Sequence, residues 1–168
     1  MLAPEIVRIL ATEEYYEAIY LMPPIAAGIF LISLGNLYSN ILLYYKKTQY
    51  ILIATIVAAA LNVSLNALLI PIYGYQAAAY TTLAAYIVMA VIEAVVANGV
   101  EKKTTGRKKS LYNSKLLLLI TVIVILCCLL INVIYGYVQI RWSVILIGLA
   151  IVLINRNRIL EFVKEVKR

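Results

Sequence analysis

Histidine is absent from this 168-residue chain, and cysteine occurs only twice, as the adjacent Cys127 and Cys128. Neighbouring residues on a helix point about 100° apart, so these two thiols are poorly placed to share a metal ion. We therefore expect no zinc or haem site and no cofactor. The chain also has no Ser–His–Asp or Cys–His set, no Walker loop and no paired carboxylates, so we expect no enzyme activity.

Charge is also scarce. Charged residues make up 14% of the chain and apolar residues 64%, and the mean hydropathy is +0.94. A typical soluble domain is about 45–50% apolar and about 25% charged. A globule of this length has too little interior to hide so much apolar surface from water. The composition therefore predicts a membrane protein.

Long apolar runs set the predicted architecture. A helix needs about 20 apolar residues to cross the hydrocarbon layer of a bilayer. Each crossing segment must be helical, because lipid offers no hydrogen-bond partner to backbone N–H and C=O groups. The sequence thus predicts an all-α, polytopic membrane helical bundle of about five transmembrane helices. The predicted spans are residues 23–45, 50–70, 76–98, 115–135 and the shorter 140–154.

The basic residues predict the orientation of these spans. Thirteen of the fifteen Lys and Arg lie beside apolar runs, in the clusters Lys46–Lys47, Lys102–Lys115 and Arg156–Arg168. Basic loops stay in the cytoplasm, so the N-terminus is predicted outside and the C-terminus in the cytoplasm of a cell membrane. Segment 1–22 then lies at the outer interface, and residues 155–168 form a basic amphipathic tail on the cytoplasmic leaflet. No nucleic-acid recognition fold accompanies the charge.

Amide side chains recur at helical spacing inside the first two predicted spans. Buried polar groups in a membrane cost free energy unless they find partners, so their placement is informative. They hold helices together by hydrogen bonds, or they line a polar cavity that admits a substrate, and one residue could do both. The candidate cavity residues are Asn36, Asn40, Asn62 and Asn66.

Glu93 is an ionisable side chain within the third predicted span. An ionisable group inside a membrane is by default a candidate functional site, here for coupling to a proton or cation. Glu93 also lies about one helical turn from the cytoplasmic end of its span. The alternative is therefore that it reaches the interface or pairs with Lys102 or Lys103.

A series of motifs runs from the end of the first predicted span into the third. It comprises Lys-Lys-Thr at 46–48, a helix bearing Asn62 and Asn66, and Pro-Ile-Tyr-Gly at 71–74 followed by Tyr-Gln-Ala-Ala-Ala. This series resembles the C-terminal lobe of polysaccharide flippases in the multidrug/oligosaccharidyl-lipid/polysaccharide exporter superfamily. Residues 3–15 and the Pro23–Pro24 pair are similar to the approach to the eighth helix of that family. The chain departs at Ala77, where glycine is usual, which would loosen packing at that turn.

The resemblance covers residues 1–100 and implies a transporter of twelve or fourteen helices with a MATE-like fold. Such a transporter moves a polyprenyl-diphosphate-linked oligosaccharide from the inner to the outer leaflet for polysaccharide biosynthesis, as in O-antigen export, by ion-coupled alternating access. The five spans would be its eighth to twelfth helices, which agrees with the orientation predicted from charge. The implied partners are membrane lipid, the lipid-linked oligosaccharide and a missing N-terminal lobe, without which we expect no transport. Alternatives are half of a multidrug/cation antiporter and a small membrane interaction subunit.

Overall fold

The computed structural model describes residues 3–106 and 111–155, which are helical throughout apart from short turns. The predicted basic tail lies outside these ranges except for Asn155. The 3₁₀ helix Glu13–Leu21 runs directly into the α-helix Met22–Tyr44, so the two form one continuous rod. The elements are α1 (Ala3–Leu10), a 3₁₀ helix (Glu13–Leu21), α2 (Met22–Tyr44), α3 (Gln49–Tyr73), α4 (Ala77–Thr105), α5 (Ser114–Ile134) and α6 (Val138–Ile154).

The prediction of an all-α, polytopic membrane bundle is confirmed. In the described ranges four helices are long and apolar enough to cross a membrane: Tyr15–Tyr44, which includes part of the 3₁₀ helix, and then α3, α4 and α5. The helix that corresponds to the fifth predicted span, α6, has 17 residues. At 1.5 Å per residue this is about 25 Å, less than the hydrocarbon thickness of about 30 Å.

α4 is longer than the apolar run that predicted it. The span was predicted to end at residue 98, whereas the helix continues through Glu101 and Lys102 to Thr105. A helix satisfies its own backbone in water as well as in lipid, so hydropathy marks only its apolar part. The helix stops at Gly106, which has a left-handed φ of 66° and donates its N–H to the carbonyl of Lys102. Glycine adopts this conformation without the steric cost that a Cβ brings.

α4 is the centre of the bundle. It packs against α2 on one side and α3 on another, while α5 packs on α2. Small side chains on α4 permit the close approach, since Ala85, Ala90 and Ala97 are all buried. By contrast, α5 contains no buried residue. Most large aliphatic side chains of α3 and α5 are exposed, as expected of helices that face lipid.

The turn between α3 and α4 provides a stability prediction. Gly74 has φ 71° and ψ −169°, a region that is accessible essentially only to glycine. Gly74→Ala is therefore expected to lower the free energy of unfolding by about 1–3 kcal/mol, measured by circular dichroism during SDS titration in mixed micelles. A Cβ here would meet nothing within 4 Å, so the cost comes from the backbone alone.

Gly99→Ala is the matched control, because Gly99 lies inside α4 and a Cβ there also meets open space. Its backbone is helical, so alanine is expected to raise the free energy of unfolding by about 0.5–1 kcal/mol. Equal effects of the two substitutions would contradict the assignment of strain to Gly74.

Candidate functional site

Two of the four candidate asparagines lie in the contact between α3 and α4. Asn66 donates a hydrogen bond from Nδ2 to Oδ1 of Asn62 (2.9 Å), and Asn62 donates from Nδ2 to Oγ1 of Thr82 (3.1 Å). The hydroxyl of Thr81 donates to Oδ1 of Asn66. Both amides are half-buried. The hydrogen bonds with Thr81 and Thr82 tie α3 to α4, which is the interhelical arrangement that the spacing allowed.

The other two asparagines lie on a different surface. Asn36 and Asn40 are exposed on α2, and neither side chain forms a hydrogen bond within the described residues. Ser33 lies on the same stripe but donates to the carbonyl of Ile29 in its own helix (3.0 Å), so it needs no other partner. The structure therefore does not bring the four asparagines into one cavity. A cavity role stays a prediction and applies best to Asn36 and Asn40.

Glu93 is packed between α2 and α4 and is only 4% exposed. Its Oε1 accepts a hydrogen bond from the hydroxyl of Ser39 (2.9 Å). Its Oε2 lies directly over Gly35, where a Cβ would come within 2.5 Å of that oxygen. The alternative pairing with Lys102 or Lys103 does not occur, because both lysines are exposed beyond the contact. Ion coupling through Glu93 stays a prediction.

Gly35 and Ser39 were not among the candidate site residues. Both are buried on the face of α2 that meets α4. Their spacing of four residues, with Glu93 on a facing helix, was a usable signal, because small residues at that interval let helix backbones approach closely. What the sequence does not reveal is which neighbouring helix such a face meets.

A buried ion pair joins the two ends of the described chain. A guanidinium nitrogen (Nη2) of Arg141, at the start of α6, lies 2.8 Å from Oε1 of Glu5 on α1, and Arg141 is only 2% exposed. Tyr20 packs against Tyr135 nearby, with ring centroids 6.4 Å apart. The predicted orientation puts the start of span 140–154, and with it Arg141, at the outer interface, but the sequence does not predict that Arg141 is buried.

The segment before α2 also contacts the turn that precedes α4. Glu17 on the 3₁₀ helix accepts weak hydrogen bonds from Tyr75 (3.3 Å) and from Gln76 (3.4 Å). Together with the Glu5–Arg141 pair, these contacts fasten segment 3–21 across the ends of several helices. In the predicted orientation this is the outer face of the bundle.

A pocket of about 340 Å³ opens at the opposite end of the bundle. Glu101 lies in its wall and accepts the backbone N–H of Leu111 on both carboxylate oxygens (3.0 Å each), which fixes the approach to α5. The pocket joins the ends of α2 and α4 to the segment before α5. Its lining residues are Asn40, Ile41, Tyr44, Tyr45, Glu101, Thr105, Leu111 and Tyr112.

Comparison of the chain with protein-family models, with curated proteins and with solved structures gives no match. Among the described residues, no group of three His, Cys, Asp or Glu side chains could hold a metal ion. What the chain does must therefore be inferred from its sequence motifs and from the placement of its polar side chains.

Proposed function

We propose that this chain is the C-terminal part of a membrane transporter that flips a polyprenyl-diphosphate-linked oligosaccharide across the cell membrane for polysaccharide biosynthesis. The proposal is supported by the motif series between residues 45 and 79 and by the polar surface of α2. α2 to α6 would form one lobe of the transporter. A second lobe, formed by residues other than these 168, would face the polar surface and complete the transport path.

The observation that carries the proposal is the exposure of Asn36 and Asn40. A carboxamide that faces lipid without a hydrogen-bond partner costs free energy, because hydrocarbon offers neither donors nor acceptors. Asn36 and Asn40 lie four residues apart on one exposed stripe of α2, and the opposite face of that helix packs on α4. This stripe needs either water or another polar surface in front of it, and a cavity between two lobes provides both.

The chemistry of the substrate suits this stripe. The hydroxyl groups of a glycan need neutral donors and acceptors, and each asparagine side chain offers both. The polyprenyl tail can remain in the bilayer. The diphosphate needs a cation, but Arg141 is paired with Glu5, and Lys46–Lys47 and Lys102–Lys103 are exposed at helix ends beyond the stripe. We therefore assign neutralisation of the diphosphate to the second lobe.

The geometry favours a flippase over half of a cation antiporter. A cation site requires an ionisable group that ions or water can reach from a cavity. Glu93 is enclosed between two helices and hydrogen-bonded to Ser39, which is the environment of a packing contact.

Paired asparagine variants test the proposal in the source cells. Asn36→Ala with Asn40→Ala is expected to lower surface polysaccharide about tenfold or more and to accumulate the lipid-linked precursor, with the free energy of unfolding changed by less than about 0.5 kcal/mol. Asn66→Ala is the matched control. It removes an interhelical contact, so we expect about 1 kcal/mol of lost stability and export within twofold of wild type.

Surface polysaccharide and precursor pools are measured by labelling and by lipid extraction, and stability is measured by SDS titration of the purified protein. Unchanged polysaccharide in a strain that lacks the gene would refute the proposal. Flipping of the lipid-linked oligosaccharide by the purified chain alone in liposomes would refute the requirement for a second lobe.

A further inference from the structure

The tyrosine-lined pocket at the ends of α2 and α4 continues the polar stripe of α2. Asn40 belongs to both, as the last amide of the stripe and as part of the pocket wall. The pocket lies beside Lys46–Lys47 and Lys102–Lys103, so the predicted orientation places it at the cytoplasmic side. A flipped lipid enters from that side.

The pocket wall combines aromatic rings with a few polar groups. Tyr44 is 78% exposed and packs edge-on against Tyr45, with centroids 5.1 Å apart. Across the pocket, Tyr112 is held edge-on against the buried Tyr38 at 5.9 Å. The ring of Tyr44 is thus free to cover a ligand, whereas the ring of Tyr112 is held in place by the buried Tyr38. The pocket volume of about 340 Å³ falls within the range of small-molecule sites.

A sugar ring matches this wall better than other parts of a lipid do. The C–H faces of a pyranose pack on aromatic rings, and its hydroxyls bond to amide and phenol groups at the ring edges. An acyl chain would leave the side-chain amide of Asn40 without a hydrogen-bond partner.

We propose that this pocket is the inner-leaflet binding site for a sugar ring of the lipid-linked oligosaccharide. This inference rests on the proposed function and specifies where the substrate first binds. Tyr44 covers the ring, Tyr112 supports its other side, and Asn40 hydrogen-bonds its hydroxyls. The ring then passes along α2 towards Asn36 as the transporter changes conformation.

Binding to the purified chain in nanodiscs tests the inference. The probes are polyprenyl-diphosphate-linked oligosaccharide extracted from the source cells and synthetic polyprenyl diphosphate without sugar, each measured by native mass spectrometry. Wild type is expected to bind the sugar-bearing lipid about tenfold more tightly. Tyr44→Ala is expected to remove that preference, whereas Tyr44→Phe, which keeps the ring, is expected to retain most of it.

Tyr137→Ala is the control, because Tyr137 is a similarly exposed tyrosine at the other end of the bundle. It is expected to leave the preference unchanged. Equal binding of the two lipids to wild type, or an unchanged preference in Tyr44→Ala, would overturn the inference. If either occurs while the Asn36/Asn40 variant still abolishes export, the pocket assignment fails and the flippase proposal stands. If export is also insensitive to that variant, both fail.

Discussion

Glu5→Ala is expected to lower the free energy of unfolding by about 3 kcal/mol, because it leaves the guanidinium of Arg141 buried without its counter-charge. The side chain of Arg141 is only 2% exposed, and its Nε has no hydrogen-bond partner among the described residues. Glu5 is thus the group that compensates its charge. The change is measured by SDS titration in mixed micelles, followed by far-UV circular dichroism.

The reverse truncation is expected to cost less. Arg141→Met removes the charge and keeps most of the apolar stem, and the remaining Glu5 carboxylate, 26% exposed, can turn towards water. We expect a loss of about 1 kcal/mol. The double variant should resemble Arg141→Met alone. If Glu5→Ala lowers the free energy of unfolding no more than Arg141→Met does, Arg141 is not the more deeply buried partner of the ion pair, contrary to the structure.

Gly35→Ala is expected to destabilise the α2–α4 contact by about 2 kcal/mol, because the added Cβ would lie 2.5 Å from Oε2 of Glu93. The overlapped oxygen ends a flexible side chain, but the carboxylate is buried and its Oε1 accepts the hydroxyl of Ser39, so moving the group disturbs that hydrogen bond. Both the packing and the hydrogen bond are then disturbed at the principal contact of the bundle. Unfolding in mixed micelles measures the loss.

A double-mutant cycle separates this overlap from a general effect of alanine on the helix. In a Glu93→Ala background the overlap is gone, so Gly35→Ala is expected to cost nothing and the coupling energy is about 2 kcal/mol. Gly99→Ala, where the Cβ meets open space, should not couple to Glu93 at all. The same cost of Gly35→Ala in both backgrounds would show that Glu93 is not the obstacle.

Hydropathy predicted the helices well because lipid leaves the backbone no alternative to a helix. α2, α3 and α5 begin within one residue of the predicted spans. The extension of α4 to Thr105 and the helical structure of Ala3–Leu10 were not predicted, because both lie outside the apolar runs. Helices in water or at an interface depend on capping and on tertiary contacts that no hydropathy pattern reports.

Helical periodicity grouped the candidate residues on common helix faces but did not assign their partners on other helices. The spacing placed Asn62 with Asn66 and Asn36 with Asn40, and the structure keeps both pairs on common faces. Only the fold shows that the first pair meets Thr81 and Thr82. The pairing of Glu5 with Arg141 was unpredictable for the same reason, since contacts between distant helices leave no periodic signal.

The contact between α1 and α6 also constrains the order in which the protein is made. Glu5 leaves the ribosome long before Arg141, so α1 cannot form its ion pair until α6 has been synthesised. Ile6, Ile9 and Leu10 stay exposed in the complete fold, so the ion pair and not apolar burial fastens α1 to α6. A ribosome that pauses before α6 would therefore hold a nascent chain whose N-terminal segment is still open to protease and becomes protected once synthesis resumes.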